Sequence, residues 1–293
     1  MKRWAGVGAA AAMLVLAGCA GSAGGVRTKS STSTAMPPAA DSATVALWRF
    51  DENGGPLAAD SGPFRLDGTA GIDTRTDFGR FHSARQFGIA VDSYVYVPYN
   101  PVLNIEGAFT VEAWIDVNSV SLYELQVVAA RWTPVPNEQG WVLGVSGLNA
   151  IQGTSSQTAP GWFAPFMNAP APQRLFFGYT PAGAGAPRGY TGTVELPTGR
   201  WVHVAASVDG EVVRLYVDGR LDAQYVNTST VRSCPAPLVV GNAIDERHLT
   251  SFGGELRIDQ SSNVGIYYPF DGLIDELRLS HGARTSFEGT NSR

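Results

Sequence analysis

"GRWVHVAASVDGEVVRLYVDGRLDA", residues 199–223, alternates apolar and polar residues through successive short runs. Side chains on a strand point to opposite faces in turn, so this period marks strands half-buried on a sheet. Asp218-Gly219 lies between two such runs, "VVRLYV" and "RLDAQY". It reads as a two-residue type I′ hairpin turn, which needs positive φ at both central positions. In the first run Val202, Val204, Ala206 and Val208 fall on one face, and Trp201, His203, Ala205 and Ser207 on the other.

The pattern extends outward in both directions. "FTVEAWIDV" puts Phe109, Val111, Ala113, Ile115 and Val117 on one face, with Thr110, Glu112, Trp114 and Asp116 opposite. From Thr44 onward there is no apolar stripe of helical period. Further short β-branched and aromatic runs read as strands: "VALWRF", "SARQFGI", "SYVYVPY", "LQVVAAR", "GWVLGVS", "RLFFGYT", "YTGTVEL", "PLVVGN" and "GLIDELRLS". About a dozen such strands predict an all-β domain, a two-sheet antiparallel sandwich or jelly roll, in which each sheet buries one face.

The remaining composition fits a globular protein with an exported start. The chain has 293 residues, 34 Gly and 18 Pro, with 44% hydrophobic and 16% charged residues. "MKRW" is followed by an apolar run from Ala5 to Leu16, too short to cross about 30 Å of hydrocarbon, so residues 1–19 read as an export signal. Its ending, Leu16-Ala17-Gly18-Cys19, resembles the lipobox of bacterial lipoproteins. That resemblance implies cleavage before Cys19, lipid on its thiol, and anchoring in the cell envelope outside the cytoplasm. Ala20 after the cysteine, by the same resemblance, favours the outer membrane of a double-membrane bacterium.

Residues 20–43, rich in Gly, Ser, Thr, Ala and Pro, have little to bury and read as a flexible tether spanning roughly 25–30 Å. Losing Lys2 and Arg3 with the signal leaves 19 basic against 26 acidic residues, a net of −7, which argues against nucleic acid as a partner. With Cys19 lipidated, Cys234 has no partner within the chain. It reads as a small apolar residue leading into a strand, with an intermolecular disulfide the alternative and a Cys19–Cys234 bridge open if lipidation fails.

Six segments carry a family resemblance: "ALWRFDENGGPLAADSGPFRLDGTA", "GRFHSARQFG" with "YVYVPY", "FTVEAWI", "GRWVHVAASVDGEVVRLYVDGRLDA", "LVVGN" and "FDGLIDELRLSHGAR". In that order they resemble the LamG-like jelly-roll domain of the concanavalin A-like lectin/glucanase superfamily, from about residue 44 to 285, leaving 286–293 as a tail. The resemblance implies two stacked antiparallel sheets, one curved, with ligands on the concave sheet or the loops at its rim.

Such a fold serves lectins, adhesive modules and glycosidases alike, so the acids decide. A glycosidase needs two carboxyl groups about 5–5.5 or 6.5–9.5 Å apart, and on one strand residues i and i+2 meet that need. Asp275 and Glu276 are adjacent and so predicted to face opposite ways. Glu112 and Asp116 flank Trp114 but sit four residues apart. A pair from different strands, such as Glu112 with Glu211 or Glu195, stays open. The four histidines, 82, 203, 248 and 281, show no metal spacing, and no Gly-x-Ser-x-Gly or phosphate loop occurs. His203 reads as structural.

Asp275 shares alternate positions with Leu273, Leu277 and Leu279 and is expected to be buried, where a carboxylate needs a partner or must neutralise. By analogy with related jelly rolls, a structural Ca²⁺ held by Asp51, Glu52, Asp60 and Asp275 is one reading. An Asx turn at Asp60 and a hydrogen-bonded Asp275 is the other. Glu276 reads as a solvated partner of Arg278.

Two long loops, 144–174 and 244–269, exceed what the strands require. The first carries Trp162, Phe163 and Phe166, which would stack on a sugar ring or cover a sheet edge. Trp48, Trp114 and Trp201 lie within strands and suit a core; Trp132 and Trp141 are undecided. The expectation is a lipid-anchored, extracytoplasmic binding module without catalytic activity. Its ligand would be a glycan or an envelope protein, met by the long loops and the polar–aromatic face of Trp114. A glycoside hydrolase and a purely structural surface protein are the alternatives.

Overall fold

The computed structural model describes residues 36–105, 107–122, 125–133, 139–148, 171–183, 187–226, 229–243, 249–252, 255–258 and 268–290. The signal, Cys19 and most of the tether lie outside them, as do Trp162, Phe163 and Phe166.

Eighteen strands follow in chain order: β1 (Thr44–Trp48), β2 (Leu57–Ala58), β3 (Gly68–Ala70), β4 (Arg75–Phe78), β5 (Ser83–Phe87), β6 (Val95–Val97), β7 (Phe109–Val117), β8 (Leu125–Thr133), β9 (Gln139–Ser146), β10 (Arg174–Tyr179), β11 (Arg188–Glu195), β12 (Trp201–Val208), β13 (Val212–Val217), β14 (Arg220–Val226), β15 (Leu238–Val240), β16 (Leu249–Phe252), β17 (Glu255–Ile258) and β18 (Gly272–His281). One sheet runs β14-β13-β12-β7-β18-β5-β4, with β1 also paired to β18; the other runs β11-β10-β9-β8-β15-β6-β3-β2. Every run read as a strand from the sequence is one. Those not foreseen are short: β2, β3, β4, and the β16–β17 ribbon inside the second long loop.

The hairpin of the opening stretch forms as its chemistry requires. Asp218 and Gly219 take φ of 49° and 75°, and Val217 pairs with Arg220. The alternation also assigns faces correctly. Phe109, Val111, Ala113, Ile115 and Val117 meet Val202, Val204, Ala206 and Val208 in one core, with Leu143, Val145, Leu175 and Phe177 from the other sheet. Burying residues of this size contributes about 1.5–3 kcal/mol each, so this layer dominates stability. Trp48 and Trp141 join the core, and Trp48 Nε1 donates to Leu66 O at 3.0 Å.

At one side the sheet edges are tied together. Asp222 on β14 accepts from the backbone N–H groups of Thr193 and Val194 on β11 at 2.9–3.1 Å, occupying ladder positions that an unpaired edge would offer to another chain.

Candidate functional site

The face of Glu112 and Trp114, outside the core, was expected to be open. It is closed: every residue of β7 is buried, and Trp114 is 4% exposed. Phe81 stands edge-on to the Trp114 ring at 6.0 Å, His203 approaches at 5.5 Å, and the Arg80 guanidinium lies 4.6 Å over it. The residues from Gly79 to His82 and the C-terminal segment cover what the strand pattern alone leaves bare. Trp114 therefore does not offer an open stacking surface as the face now stands.

Beneath this cover Glu112 is held at both oxygens. Arg278 Nε donates to Oε1 at 2.8 Å, and His203 Nε2 is 3.0 Å from Oε2. Burial works to raise the Glu112 carboxyl, but the hydrogen bond and charge of His203, followed by Arg278, outweigh it and hold the group below its usual range. The across-strand pairs considered above fail with it, because Glu112 is 1% exposed and committed. Glu195 sits at the end of β11 beside Arg174 at 3.4 Å, and Glu211 lies in the β12–β13 turn.

Asp275 and Glu276 correct the sequence reading. Glu276 takes φ of 50°, and the β18–β7 register slips between Asp275 and Arg278. This bulge resets the alternation, so Leu277 and Leu279 enter the core while Asp275 turns away from it, opposite Trp114. Asp275 is wholly buried as expected: Oδ2 accepts from Phe81 N–H at 2.9 Å, and among the described residues Oδ1 has no hydrogen-bond partner. Burial raises its pKa to about 8, with Glu276 and Asp51 adding to the rise. Glu276 is buried, not solvated, and its partner is Arg49, whose Nη1 donates to both oxygens at 2.9–3.0 Å. Burial, countered by Arg49 and reinforced by Asp51, leaves it raised to about 7.

Of the four oxygen donors named for calcium, Asp60 is committed elsewhere. Its carboxylate accepts from the N–H groups of Leu47, Gly62 and Leu66 at 2.7–2.8 Å, the Asx arrangement read as the alternative. Glu52 accepts from Ala59 N–H and faces Arg85 at 3.8 Å, and Asp51 accepts from Ser83 N–H at 3.1 Å. Among the described residues, no three His, Cys, Asp or Glu side chains are grouped to hold a metal ion. The four do not assemble as one ligand set, and Asp275 has Asp51 and Glu276, not Asp60, as its electrostatic neighbours.

On the outer face of the other sheet, Leu125, Val127, Ala130, Trp132, Val142, Phe176, Ala243 and Tyr268 form a second buried cluster. Beyond it Val120, Leu122 and Leu148 are exposed at 38%, 71% and 40%, tied by a 2.9 Å hydrogen bond from Leu148 N–H to Ser121 O. Cys234 lies buried before β15, without a disulfide among the described residues, and burial raises its pKa.

Two antiparallel sheets stacked on one apolar layer, closed at an edge, define a concanavalin A-like jelly-roll sandwich. The chain belongs to the Laminin_G_3 family of the concanavalin A-like lectin/glucanases superfamily, whose model matches residues 89–288. No curated protein matches it by sequence. Among solved structures it is similar to the binding domain of Paraclostridial Mosquitocidal Protein 1, at 12% identity and a TM-score of 0.53, covering 83% of this chain and 49% of that one. The binding domain of botulinum neurotoxin serotype G is similar at 10% identity and a TM-score of 0.52, covering 82% and 48%. A botulinum neurotoxin type C structure, described as entering cells through two ganglioside molecules, matches at 11% identity and 0.52, covering 84% and 49%. The chain thus spans about half the length of each, and the likeness is one of fold.

Proposed function

We propose that this chain is a non-catalytic glycan-binding module, held to the cell envelope by lipid on Cys19. The observation that carries the non-catalytic part is the confinement of Glu112. The best-placed acid on the sheet has both carboxylate oxygens committed, one to Arg278 and one to His203, and so is not free to act as nucleophile or general acid. Family membership supports the binding part, as does the ganglioside interaction stated for one protein of similar fold. With Trp114 covered, recognition is assigned to the exposed Val120, Leu122 and Leu148, together with Trp162, Phe163 and Phe166, which follow Leu148 in sequence and lie outside the described residues.

A glycan array probed with the chain lacking residues 1–19, with and without EDTA, tests this reading. Binding to a defined glycan class supports it, and loss with EDTA would make that binding cation-dependent. No binding in either state, or turnover of a bound glycan, overturns it. Labelling with a radioactive fatty acid that marks the wild type and spares Cys19→Ala tests the anchor.

A further inference from the structure

The outer face of the β7–β12–β18 sheet is covered by two chain ends. Residues 36–43, read from sequence as tether, and residues 287–290, read as tail, both pack on it. Ala39 N–H donates to Glu288 Oε2 at 2.9 Å, Arg278 Nη1 to Ala39 O at 3.0 Å, and Arg49 Nη2 to Pro38 O at 2.8 Å. Phe287 lies on His203 and Tyr216, ring centroids 5.0 and 4.9 Å away.

The cover brings two carboxylates to two arginines. Asp41 takes Arg284 Nη2 at 2.7 Å with both oxygens, and Glu288 lies 3.5 Å from Arg278 Nη1. The arginine side chains are 16% and 0% exposed, the acids 41% and 54%, so fixed cations are capped by acids lying outermost. Arg284 is itself positioned by Ser280 Oγ at 2.9 Å and by its N–H on Thr110 Oγ1 at 2.9 Å. On this face, among the described residues, Arg278 Nη2, His203 Nδ1 and Ser207 Oγ have no hydrogen-bond partner. Buried polar atoms left unpaired cost free energy that a ligand would recover. With His203 Nε2 committed to Glu112, its Nδ1 is left to meet a hydroxyl.

We propose that Asp41 and Glu288 are an internal stand-in for an acidic glycan. When the two chain ends lift, Arg278 and Arg284 take the glycan carboxylate, and His203 and Ser207 take its hydroxyls, while Trp114 stays under Arg80 and Phe81. The proposal deepens the glycan-binding reading by naming a second, self-blocked site and its ligand class. Arginine suits the role because its planar fork matches a carboxylate.

Trigalacturonate, its fully methyl-esterified form and acetate are the probes, measured by calorimetry at low salt on the wild type and on Asp41→Asn/Glu288→Gln. The double variant is expected to bind trigalacturonate at least tenfold tighter than the wild type, with no gain for the ester, and adding Arg284→Gln removes the gain. Equal affinity of folded wild type and variant overturns the proposal. So does equal binding of the ester, and so does acetate competing at the concentration of the trisaccharide, which would mark a simple anion site. Should the double variant unfold, the wild type still decides: saturating trigalacturonate must speed hydrogen exchange at the Ala39 amide, and unchanged exchange refutes the blocked site. A silent array for the wild type with a gain in the variant sinks the rim reading alone; a positive array with no gain sinks this one alone.

Discussion

Arg278 Nε donates to Glu112 Oε1 at 2.8 Å between β18 and β7, and neither side chain is more than 1% exposed. Taking two such charges out of water is costly, and their attraction offsets that cost as long as both are present. Removing Glu112 leaves the buried Arg278 guanidinium with the half-exposed Glu288, 3.5 Å away, as its acid among the described residues. Glu112→Ala is therefore expected to lose about 3–5 kcal/mol of unfolding free energy. Glu112→Ala/Arg278→Met should lose less than the sum of the two single changes. Urea titration of the four proteins checks this; additive losses would mean the pair is not coupled.

The buried acids give stability a predictable dependence on pH. Asp275 and Glu276 start from 3.8 and 4.5 and are raised in the folded state to about 8 and about 7, so the folded chain holds more protons than the unfolded one in between. Their contribution is full below about pH 4 and is lost as pH climbs through 7 and 8. Glu112 and Asp41, held low by their cationic partners and Asp41 at about 2, act in the opposite sense and lose theirs as pH falls below about 4. Stability should therefore peak in mildly acidic solution. Asp275→Asn, neutral at every pH, is expected to flatten the decline between pH 5 and 8.5. Urea midpoints across that range test it, and an unchanged slope would show that Asp275 is ionised throughout.

Arg131 is 2% exposed, and its hydrogen bonds run to carbonyl oxygens: those of Leu103, Cys234 and Ala236, and the side-chain oxygen of Asn104. It ties the segment before β15 to the turn at Pro101–Leu103. Burial lowers its pKa, yet a guanidinium stays charged. Arg131→Met fills the volume but strands those acceptors in a dry site, which should cost about 3 kcal/mol or more. A thermal melt showing less than a few degrees of loss would mean that water reaches these carbonyls.

Period-two alternation made the strands and the core faces of β7 and β12 legible, because Phe109 to Val117 and Val202 to Val208 are regular through their whole length. It put Asp275 on the face of Leu277 and Leu279, which the bulge at Glu276 separates from it; the bulge puts a non-glycine residue at positive φ, and nothing in "LIDELRL" announces that. Trp114 was misread for a different reason. Its cover comes from Arg80 and Phe81, which are distant in sequence and lie in a segment whose composition suits a loop. Residues 36–43 read as tether because Ala39 and Asp41 have little to bury; both stay exposed and are fixed instead by hydrogen bonds from the arginines of β18 and the turn after it. The stretch that resembles a lipobox, Leu16 to Cys19, lies outside the described residues.

The type I′ turn itself offers the last test. Gly219 has φ of 75°, a conformation that strains a residue bearing Cβ, and a Cβ there would lie 2.4 Å from Thr290 Oγ1 and 2.9 Å from Thr290 Cβ. Thr290 in turn donates to Phe287 O at 2.6 Å, and Phe287 is the ring that lies on His203 and Tyr216. Gly219→Ala therefore acts twice, straining the turn and pushing the tail outward, at an expected cost of about 1–2 kcal/mol. Pairing it with Thr290→Gly removes the collision but not the strain, so the double variant should recover part of the loss. Hydrogen exchange at the amides of residues 287–289 separates the two effects: faster in Gly219→Ala, and back toward the wild-type rate once Thr290 is cut back. If those amides exchange at the wild-type rate in Gly219→Ala, the hairpin does not support the tail.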